Sequence, residues 1–358
     1  MKNQETKKIR VALYDPYLDT LGGGEKYTLS IMDVFADLGY EINIFWNKDL
    51  SKEILNRFSL QSIKRLKWLN VKNLKNLSSF DYFFYVTDGS YFFSGAKKNF
   101  VYAMIPDKKL YSRSLINKLK LINYQFITHS VFTQKWLSKF GVKSEVIMPY
   151  LDNKLIDQNI NFEKKEKIIL SVGRFFSHLH SKKQDLMIKA FKDLKKKSKE
   201  FADYKLILAG GLMEEDKDYF NSLKDLAKND SSIIFKPNIK LYELYKLYEL
   251  SNYFWHFTGY GVDEEKNPEL VEHFGITPLE AMASGCLIFC YSAGGPKELI
   301  IDDKNGFLFS DVNELIDKII KVDSNKSLKE KVIDNGRQFV KKNFSYEVFK
   351  AKIKDSLI

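Results

Sequence analysis

Two glutamates, Glu272 and Glu280, lie on either side of a glycine and the start of a short predicted helix. Pro278 is tolerated in a first helical turn, so the helix is predicted to begin beside Phe274 and Gly275. Free backbone N–H groups and the positive end of the helix dipole form a site there for an anion such as a diphosphate. Glu280 could then accept hydrogen bonds from a ribose diol, and Glu272 could hold sugar hydroxyls. The alternative is a structural helix start whose acidic residues favour the dipole.

Alternating strands and helices must position these residues. The chain opens with a strand (KIRVALYDP), a glycine turn (LGGG), a helix and a second strand (EINIFW), which form a βαβ unit and predict a parallel sheet. The second half repeats this order from KIILSVGR onward. Residues 52–80 and 107–123 are predicted to be helical or irregular. Further strands are predicted at 81–87, 99–105, 125–130, 204–211, 232–237, 253–259 and 286–295, and helices at 184–197, 216–229, 241–250 and 277–284.

The length of 358 residues and this order of elements predict an α/β protein with two doubly wound Rossmann-like domains. The first spans 1–155 and the second 165–343, and the polar stretch 151–167 has the character of a linker. The tail 344–358 is predicted to be an amphipathic helix with Phe349 and Ile353 buried, and it could pack back on the first domain. Open α/β sheets bind ligands beyond the carboxyl ends of their strands. Two domains facing across a cleft would therefore suit a two-substrate enzyme.

Composition excludes several classes of protein. A hydrophobic content of 44% excludes wholesale disorder, and the two cysteines cannot form a disulfide scaffold or a four-thiolate zinc site. No apolar run approaches the ~20 residues that span a bilayer, and the opening MKNQETKKIR does not look like a signal peptide, so a cytoplasmic protein is expected. Lys and Arg number 57 against 46 Asp and Glu, a net charge of +11, and most of the excess lies within 52–143. An anionic partner is therefore expected.

The glutamate pair lies in a wider pattern, Glu272-x-Phe274-Gly275-x-x-x-x-Glu280-Ala281, followed by Gly285 and Gly294-Gly295. This pattern resembles the signature of retaining glycosyltransferases of family four, which have the GT-B fold. The segment GYGVDEEKNPELVEHFG is most similar to the branch that includes the mannosyltransferases of lipid-linked oligosaccharide assembly. Two other segments also look like motifs of the family, the glycine loop LGGGEK and the basic pair formed by Arg174 and Lys182, and the resemblance covers nearly the whole chain.

The resemblance implies a retaining, metal-independent hexosyltransferase that uses a GDP- or UDP-linked sugar as substrate and needs no cofactor. Arg174 and Lys182 would bind the donor diphosphate and offset charge as the nucleoside diphosphate leaves, in place of a metal ion. Lys183 adjoins Lys182, although the neighbouring Gln184 and Asp185 favour Lys182. The residues implied to be catalytic are Arg174, Lys182 and Glu272, and those implied to bind the donor are Gly23, Gly24, Arg174, Lys182, His273, Phe274, Gly275, Ile276 and Glu280.

One position departs from the family pattern. Related enzymes often carry a histidine before the proline of the segment VYAMIPDK, where this chain has Met104. The role of that histidine would pass to Asp107 or His129, or the chain is a catalytically altered protein that binds a nucleotide sugar without transferring it. His256 follows a strand near the expected sugar site, so His256 and Asp107 are further candidates for substrate contact, although a lone histidine is more often structural.

The implied acceptor is a glycan or a lipid-linked molecule, which suits a protein at the inner face of a membrane. The basic first half is then interpreted as attraction to anionic lipid or to phosphate-bearing acceptors. Nucleic-acid binding is the alternative for such a charge, but no groove-reading motif accompanies it, so no nucleic-acid partner is predicted. Lys64, Arg65 and Lys67 are the basic residues on which charge reversal would distinguish the two partners.

Overall fold

The computed structural model describes residues 8–58, 60, 62–63, 66–112, 114–178, 181–228 and 230–358. The chain divides into two compact units, one within Met1–Pro149 and Phe349–Ile358 and the other within Tyr150–Val348. Lys64 and Arg65, the basic residues singled out in the sequence, lie outside the described residues.

The first unit contains, within its described residues, a seven-stranded parallel sheet with the strand order β3-β2-β1-β4-β5-β6-β7. Its central strands are buried because apolar and aromatic side chains occupy both faces, as is usual for a parallel sheet with helices on each side. The strands are β1 (Arg10–Tyr14), β2 (Glu41–Phe45), β3 (Lys67–Leu69), β4 (Tyr82–Val86), β5 (Lys98–Tyr102), β6 (Tyr124–Thr128) and β7 (Ser144–Val146).

Helices connect these strands in the doubly wound manner that the sequence predicts. The first helix buries Leu29, Met32 and Phe35, which recur at helical spacing, and it ends before Gly39, whose φ is +82°. The helices are α1 (Gly23–Asp37), α2 (Ser51–Arg57), α3 (Leu115–Lys120) and α4 (Val131–Lys139), with 3-10 turns at Leu18–Thr20, Val71–Lys75 and Lys108–Tyr111.

The second unit repeats this topology with a six-stranded parallel sheet of order β10-β9-β8-β11-β12-β13 among its described residues. In both sheets the chain starts at a central strand, moves to one edge and then returns to the other side. The strand order therefore reverses between β8 and β11, which is where ligands bind in sheets of this kind. The strands are β8 (Glu166–Val172), β9 (Lys205–Gly210), β10 (Ile233–Pro237), β11 (Ser251–His256), β12 (Leu287–Tyr291) and β13 (Phe307–Phe309).

The long helices of the second unit each bury an apolar face. For example, α6 buries Met187, Phe191 and Leu194, whereas Lys189 and Lys196 are exposed. These helices are α5 (Asn153–Ile156), α6 (Gln184–Lys197), α7 (Lys217–Ala227), α8 (Leu241–Leu250), α9 (Ile276–Ala283), α10 (Pro296–Leu299), α11 (Val312–Asp323) and α12 (Lys326–Asn343), with 3-10 turns at Phe162–Lys164, Lys199–Phe201, Glu214–Asp216 and Pro268–Leu270.

The chain closes with α13 (Tyr346–Leu357), whose residues from Phe349 onward belong to the first unit. Phe349 and Ile353 are buried, which confirms the interpretation of the tail as an amphipathic helix. An ion pair joins Lys350 to Asp37 of α1, and Lys98 donates a hydrogen bond to the carbonyl of Ile358. The described residues contain no helix with the length and apolar character that crossing a membrane requires.

Two sequence expectations about local structure are wrong. The polar stretch 151–167 is not a simple linker, because Leu151, Leu155 and Ile156 are buried and α5 forms within it. The segment 52–80 is not only helical or irregular, because it contains β3. In both places a few apolar side chains among polar neighbours contribute to packing that has no visible periodicity in the sequence.

Candidate functional site

The candidate site lies in the second unit, at the point where the strand order reverses. The chain leaves β8 through Gly173 and Arg174, and β11 ends at His256 on the neighbouring strand. The carboxyl ends of parallel strands meet at the same edge of a sheet, so the topology brings these two loop starts together. The loop before α9 supplies Glu272 to the same place.

Glu272 joins two basic side chains through one of its oxygens. Its Oε2 accepts a hydrogen bond from the Lys182 Nζ at 2.6 Å and lies 3.0 Å from the His256 Nε2. The Lys182 and Glu272 side chains are only 14% and 16% exposed, and His256 is buried. Charges in such surroundings are weakly screened, so Lys182 is held by strong attraction to Glu272.

Two glycines allow close packing around the stem of Lys182, one beside the lysine itself and one beside the first glycine. A Cβ atom on Gly173 would lie 2.5 Å from the Lys182 Cγ, so only glycine lets the lysine stem cross the backbone there. Gly210, at the end of β9, has a φ of +153°, and a Cβ atom there would lie 2.0 Å from the Gly173 carbonyl oxygen. Both glycines are therefore required by close approach.

A second glycine pair positions the backbone of Glu272. The N–H of Gly295 donates to the Glu272 carbonyl at 2.7 Å. Gly294 has a φ of +62°, and a Cβ atom on it would lie 2.1 Å from the Glu272 carbonyl oxygen. The Gly294 N–H donates to the Glu264 carboxylate at 2.8 Å. The Gly294-Gly295 pair of the sequence pattern thus packs directly under the loop that carries Glu272.

Arg174 is partly exposed and makes an ion pair with acidic residues of the loop after β9. Its Nε and Nη2 donate to the Asp216 Oδ2 at 3.2 and 3.0 Å, and Nη2 also lies 3.4 Å from the Glu215 Oε1. Gln184, the first residue of α6, donates its side-chain amide to the Arg174 carbonyl at 3.1 Å. The guanidinium also lies 5.1 Å from the centre of the Phe176 ring, within cation–π range.

The helix expected beside Phe274 and Gly275 is present as α9. Gly275 is its N-cap with a φ of +107°, a conformation that favours glycine. Glu280, one turn into the helix, is buried, and its Oε2 accepts a hydrogen bond from the Tyr248 hydroxyl at 3.0 Å. Ile276 begins the helix, and the buried Phe274 packs edge-on against Phe344 at 6.0 Å.

Burial controls the charge of both histidines near Glu272. Burial lowers the pKa of His256, although the adjacent Glu272 carboxylate acts in the opposite direction. Burial also lowers the pKa of His273 to about 4, and its Nε2 lies 3.1 Å from the Glu269 carbonyl oxygen. His273 is therefore neutral at physiological pH and contacts its own loop, while His256 contacts Glu272.

In the first unit, the glycine loop precedes α1 with an arrangement that the sequence did not suggest. None of Gly22, Gly23 and Gly24 has a positive φ, whereas Leu21 has a φ of +46°. The N–H of Gly22 donates to the Glu25 Oε2 at 2.7 Å, and a Cβ atom on Gly24 would lie 3.3 Å from the Met104 methyl carbon. A Cβ atom on Gly23 would meet nothing within 4 Å, so packing within the protein does not explain this glycine.

The first unit also contains two residues that the sequence offered as candidates and one that it did not. Asp107 caps a 3-10 turn, because its Oδ1 accepts the Lys109 N–H at 2.9 Å. His129 follows β6 and lies 6.0 Å from the Tyr27 ring. Asp15, which the sequence did not single out, follows β1 and is fully buried; burial and the nearby Glu25 raise its pKa to about 7.

The remaining candidates for metal or thiol chemistry are separate from Glu272. Cys286 and Cys290 are buried free thiols, and burial raises the pKa of both, as is usual for cysteines in a protein core. Among the described residues no group of three His, Cys, Asp or Glu side chains is arranged to hold a metal ion. His178 is exposed, and His180 lies outside the described residues.

The arrangement in the second unit can stabilise negative charge with fixed cations, because Arg174 and Lys182 both stand at the carboxyl edge of the sheet. Sequence reasoning missed the partners that hold the site residues, namely Asp216 for Arg174 and Tyr248 for Glu280. The sequence gives no signal for either, since each partner lies more than 30 positions away. In the sequence, Gln184 served only to identify Lys182 as the basic residue of the family pattern. Its hydrogen bond to the Arg174 carbonyl gives a physical reason for a glutamine at this position.

Known sequences resemble this chain over about half of its length or more. Residues 152–339 match the family described as Glycosyl transferases group 1. The GDP-Man:Man(3)GlcNAc(2)-PP-Dol alpha-1,2-mannosyltransferase of Xenopus laevis is 32% identical over 188 residues, which cover 49% of this chain and 36% of that enzyme. The human alpha-1,3/1,6-mannosyltransferase ALG2 is 29% identical over 257 residues, which cover 64% of this chain and 55% of that enzyme. The chain therefore covers less than two thirds of the length of either relative.

Solved structures resemble the whole chain. A glycosyltransferase from Rickettsia africae matches with a TM-score of 0.72 at 19% identity and covers 98% of this chain and 97% of its own. The Anabaena protein HepE, solved with UDP and glucose, matches with a TM-score of 0.71 at 14% identity and covers 98% of this chain and 99% of its own. At these identities the likeness establishes the fold, which is the GT-B fold with two Rossmann-like domains.

Proposed function

Because the chain belongs to the family of group 1 glycosyl transferases, we propose that it transfers a hexose from a nucleotide diphosphate sugar to a glycan or lipid-linked acceptor with retention of configuration. The observation that carries the proposal is the cluster of Lys182, Glu272 and His256 beside Arg174, at the carboxyl edge of the second sheet. These residues come from three separate loops, and close-packed glycines hold two of those loops in place.

In the proposed reaction, Arg174 and Lys182 bind the diphosphate and stabilise the charge that develops when the nucleoside diphosphate leaves. Both cations already have carboxylate partners, Asp216 and Glu272, so the donor must replace or share these contacts. Glu272 would then accept sugar hydroxyls in place of the Lys182 ammonium. This exchange provides a reason for a basic and an acidic side chain to stand in contact before substrate arrives.

The rest of the proposed site follows α9. The backbone N–H groups of Gly275 and Ile276 would donate hydrogen bonds to the diphosphate, and the positive end of the α9 dipole would stabilise its negative charge. Glu280 would accept a ribose hydroxyl while keeping its hydrogen bond with Tyr248. Phe274 and His273 shape the same loop, and His256 would act through Glu272. Gly23 and Gly24 of the first unit would let the substrate approach the backbone closely.

Retention without a protein nucleophile suggests front-side displacement, in which the leaving diphosphate accepts the proton of the acceptor hydroxyl. The proposal needs no metal ion and no cofactor, because the two cations neutralise the leaving group. We favour a mannose or glucose type of donor on a GDP or UDP carrier. The names of the mannosyltransferase relatives support GDP-mannose, and the UDP and glucose in the HepE structure support the alternative.

The same relatives support the proposed acceptor and the proposed location at a membrane. The Xenopus laevis enzyme is named for a dolichol-linked acceptor, and we propose a lipid-linked or glycan acceptor for this chain. A lipid-linked acceptor would bring the protein to the inner face of a membrane, as a peripheral protein. Nucleic acid is not a proposed partner.

A second candidate function is a protein that binds nucleotide sugar without transferring it. It is favoured by Met104, whose thioether packs against Gly24 at the position where related enzymes often have histidine. A thioether cannot exchange protons or carry charge. Binding of the donor in the second unit would be unaffected by this substitution.

The test of function starts with the purified full chain. Thermal unfolding is measured with GDP-, UDP- and ADP-linked hexoses, because a ligand that binds only the folded state raises the unfolding temperature. The matching donor is then incubated with lipid-linked and free glycan acceptors, and nucleoside diphosphate release and the anomeric configuration of the product are measured. Stabilisation and transfer with retention support the proposal, stabilisation without release supports the second candidate, and no stabilisation by any donor contradicts both.

Variants test the site assignment. Arg174→Ala, Lys182→Ala and Glu272→Gln should each reduce transfer by at least about a hundredfold, since each removes a group that acts on the leaving diphosphate or the sugar. Lys183→Ala is the matched control, because Lys183 adjoins Lys182 and the substitution keeps its backbone hydrogen bonds, from its N–H to the Ser181 hydroxyl at 3.3 Å and to its carbonyl from α6. Near-normal transfer by Lys182→Ala with loss of transfer in Lys183→Ala would reverse the assignment.

A further inference from the structure

The surface around α3 exposes four large apolar side chains. Leu115 is 79% exposed, Ile116 63%, Leu119 60% and Ile122 83%. They lie on α3 and in the turn that follows it, and are called the α3 patch below. Folded proteins rarely leave a contiguous group of large aliphatic side chains in water unless that surface has a partner.

The segment that carries the α3 patch has apolar side chains both on its outward side and on the side that faces the protein. Leu115 and Leu119 are four residues apart on α3, so they share one face, and Ile122 is exposed in the turn that follows. Leu121 points the other way and packs with the aromatic cluster of the first unit around Tyr91. The segment therefore already has an inward apolar residue that attaches it to the protein, and the α3 patch is a second, outward apolar face.

The charge around the α3 patch has one sign. From Lys108 to Ser144 the sequence contains eight Lys or Arg residues and no Asp or Glu. Lys118 is exposed on α3 itself, and Lys109 is exposed in the 3-10 turn just before it. Lys143, far along the chain, lines the same pocket as Lys118, so basic groups from separate segments gather beside the helix.

We propose that the α3 patch docks the protein on an anionic lipid bilayer. Its aliphatic side chains would enter the boundary between head groups and acyl chains, and the surrounding lysines would stay at the level of the lipid phosphates. This pairing of a small apolar face with basic neighbours is the arrangement that binds membrane surfaces without spanning them. Neither component alone gives stable attachment.

A second copy of the chain is a poorer occupant of the same surface. A symmetric dimer through the α3 patch would bring its lysines against the same lysines of the other copy, and the sequence from Lys108 to Ser144 supplies no Asp or Glu to neutralise them. An anionic bilayer supplies the missing negative charge. The proposal concerns binding alone, so it stands or falls independently of the transferase function.

The experiment is flotation of the full chain with vesicles of phosphatidylcholine alone, and of phosphatidylcholine mixed with phosphatidylglycerol. The wild-type protein should float with the mixed vesicles and not with the neutral ones. The double variant Leu119→Ser/Ile122→Ser should bind the mixed vesicles at least about tenfold more weakly, because it removes inserted methylene groups. Lys109→Glu/Lys118→Glu should bind at least about tenfold more weakly and lose most of the salt dependence.

The matched control is Ile301→Ser/Lys304→Glu, which changes an exposed isoleucine and an exposed lysine of the second unit. It should bind like the wild type. Circular dichroism and thermal unfolding check that each variant is folded, and donor stabilisation is measured on the same samples. Equal binding to neutral vesicles, unchanged binding of both α3 variants, or a wild-type dimer in size-exclusion chromatography that Leu119→Ser/Ile122→Ser abolishes would overturn the proposal.

Discussion

The stem of Lys182 occupies the space beside Gly173 where any other residue would place its Cβ atom. That atom would lie 2.5 Å from the Lys182 Cγ, closer than real Cβ contacts allow. The lysine crosses the backbone at this point and reaches the Glu272 carboxylate at 2.6 Å. Gly173 thus determines where the ammonium group stands, and Gly173 immediately precedes Arg174, so one short loop controls the position of both cations.

Replacing Gly173 with alanine should displace Lys182 from Glu272. We expect the free energy of unfolding to fall by about 1–3 kcal/mol, the usual cost of overpacking. Donor binding and transfer should fall by at least about tenfold, because a catalytic group is moved by a distance of the order of 1 Å. Urea unfolding and nucleoside diphosphate release measure the two effects.

Gly211→Ala is the matched control for this experiment. Gly211 follows β9, and its carbonyl accepts a hydrogen bond from the Phe175 N–H of the same loop at 2.8 Å, but a Cβ atom on it would meet nothing within 4 Å. Stability and transfer should change little. Equal effects of the two substitutions would show that any alanine near this loop is harmful, and would remove the reason given for Gly173.

The ion pair between Lys182 and Glu272 should contribute measurably to stability. Lys182→Met and Glu272→Gln should each lower the free energy of unfolding by about 3 kcal/mol, because each leaves one largely buried charge without its partner. The double variant should lose less than the sum, with a coupling energy of about 1–3 kcal/mol. Urea unfolding of the four proteins gives this value.

A surface pair provides the control for that cycle. Lys217 and Glu214 are also 2.6 Å apart, but their side chains are 56% and 82% exposed. Their coupling should not exceed about 0.5 kcal/mol, because water screens the pair and the side chains lose entropy in forming it. If the coupling energy between Lys182 and Glu272 is no larger than this, another group, such as His256, compensates the charge of Glu272 when Lys182 is removed.

Gly23→Ala tests whether the glycine loop serves a ligand. The residue is the first of α1, and its Cβ atom would have no protein neighbour within 4 Å, so stability should be unchanged or raised by up to about 1 kcal/mol. Transfer should nevertheless fall by at least about tenfold if the substrate approaches this backbone. Full activity in a protein of equal or higher stability would contradict the role proposed for Gly23.

Asp15→Asn should change how stability depends on pH. Burial, with the charge of Glu25, raises the folded-state pKa of Asp15 from 3.8 to about 7. The folded protein therefore holds this proton more tightly, so the stability that Asp15 contributes at low pH is lost as the pH rises through about 7. Asparagine cannot titrate, so the free energy of unfolding of the variant, relative to that of the wild type, should rise by up to about 4 kcal/mol between pH 4 and pH 7.

Urea unfolding at several pH values measures this difference. Asp19→Asn is the control, because Asp19 belongs to the same turn but its side chain is exposed in the folded protein. The difference between that variant and the wild type should stay nearly constant over the same range. A constant difference for Asp15→Asn as well would show that the carboxyl is ionised throughout and is stabilised by its Tyr17 and Thr28 contacts.

The sequence predicted the long elements of the fold well and the short ones poorly. The helix at 184–197 agrees with α6 at both ends because its apolar residues recur at helical spacing, and Lys183 before it has a left-handed φ of +56°. The strands β3, β7 and β13 were missed. Each has three residues and lies at the edge of its sheet, so pairing with a neighbouring strand creates it, and three residues show no periodicity.

For the candidate site, the sequence identified the residue types but not their partners. Arg174 and Lys182 were assigned to the donor diphosphate and Glu272 to the sugar. The contact of Lys182 with Glu272 joins residues 90 positions apart, and only the meeting of two strand ends creates it. In the loop before α1, Leu21 and none of the three glycines has a positive φ, which residue type alone does not indicate.

The membership of Phe349–Ile358 in the first unit has a consequence for synthesis on the ribosome. Some 200 residues separate Pro149 from Phe349, and at about 5–20 residues per second a ribosome needs roughly 10–40 s to make them. Throughout that interval the nascent first unit lacks Ile353 and the other buried side chains of α13, and the apolar surface they will cover is open to water. The emerging polypeptide is therefore exposed to chaperone capture and to aggregation until its last helix has been translated.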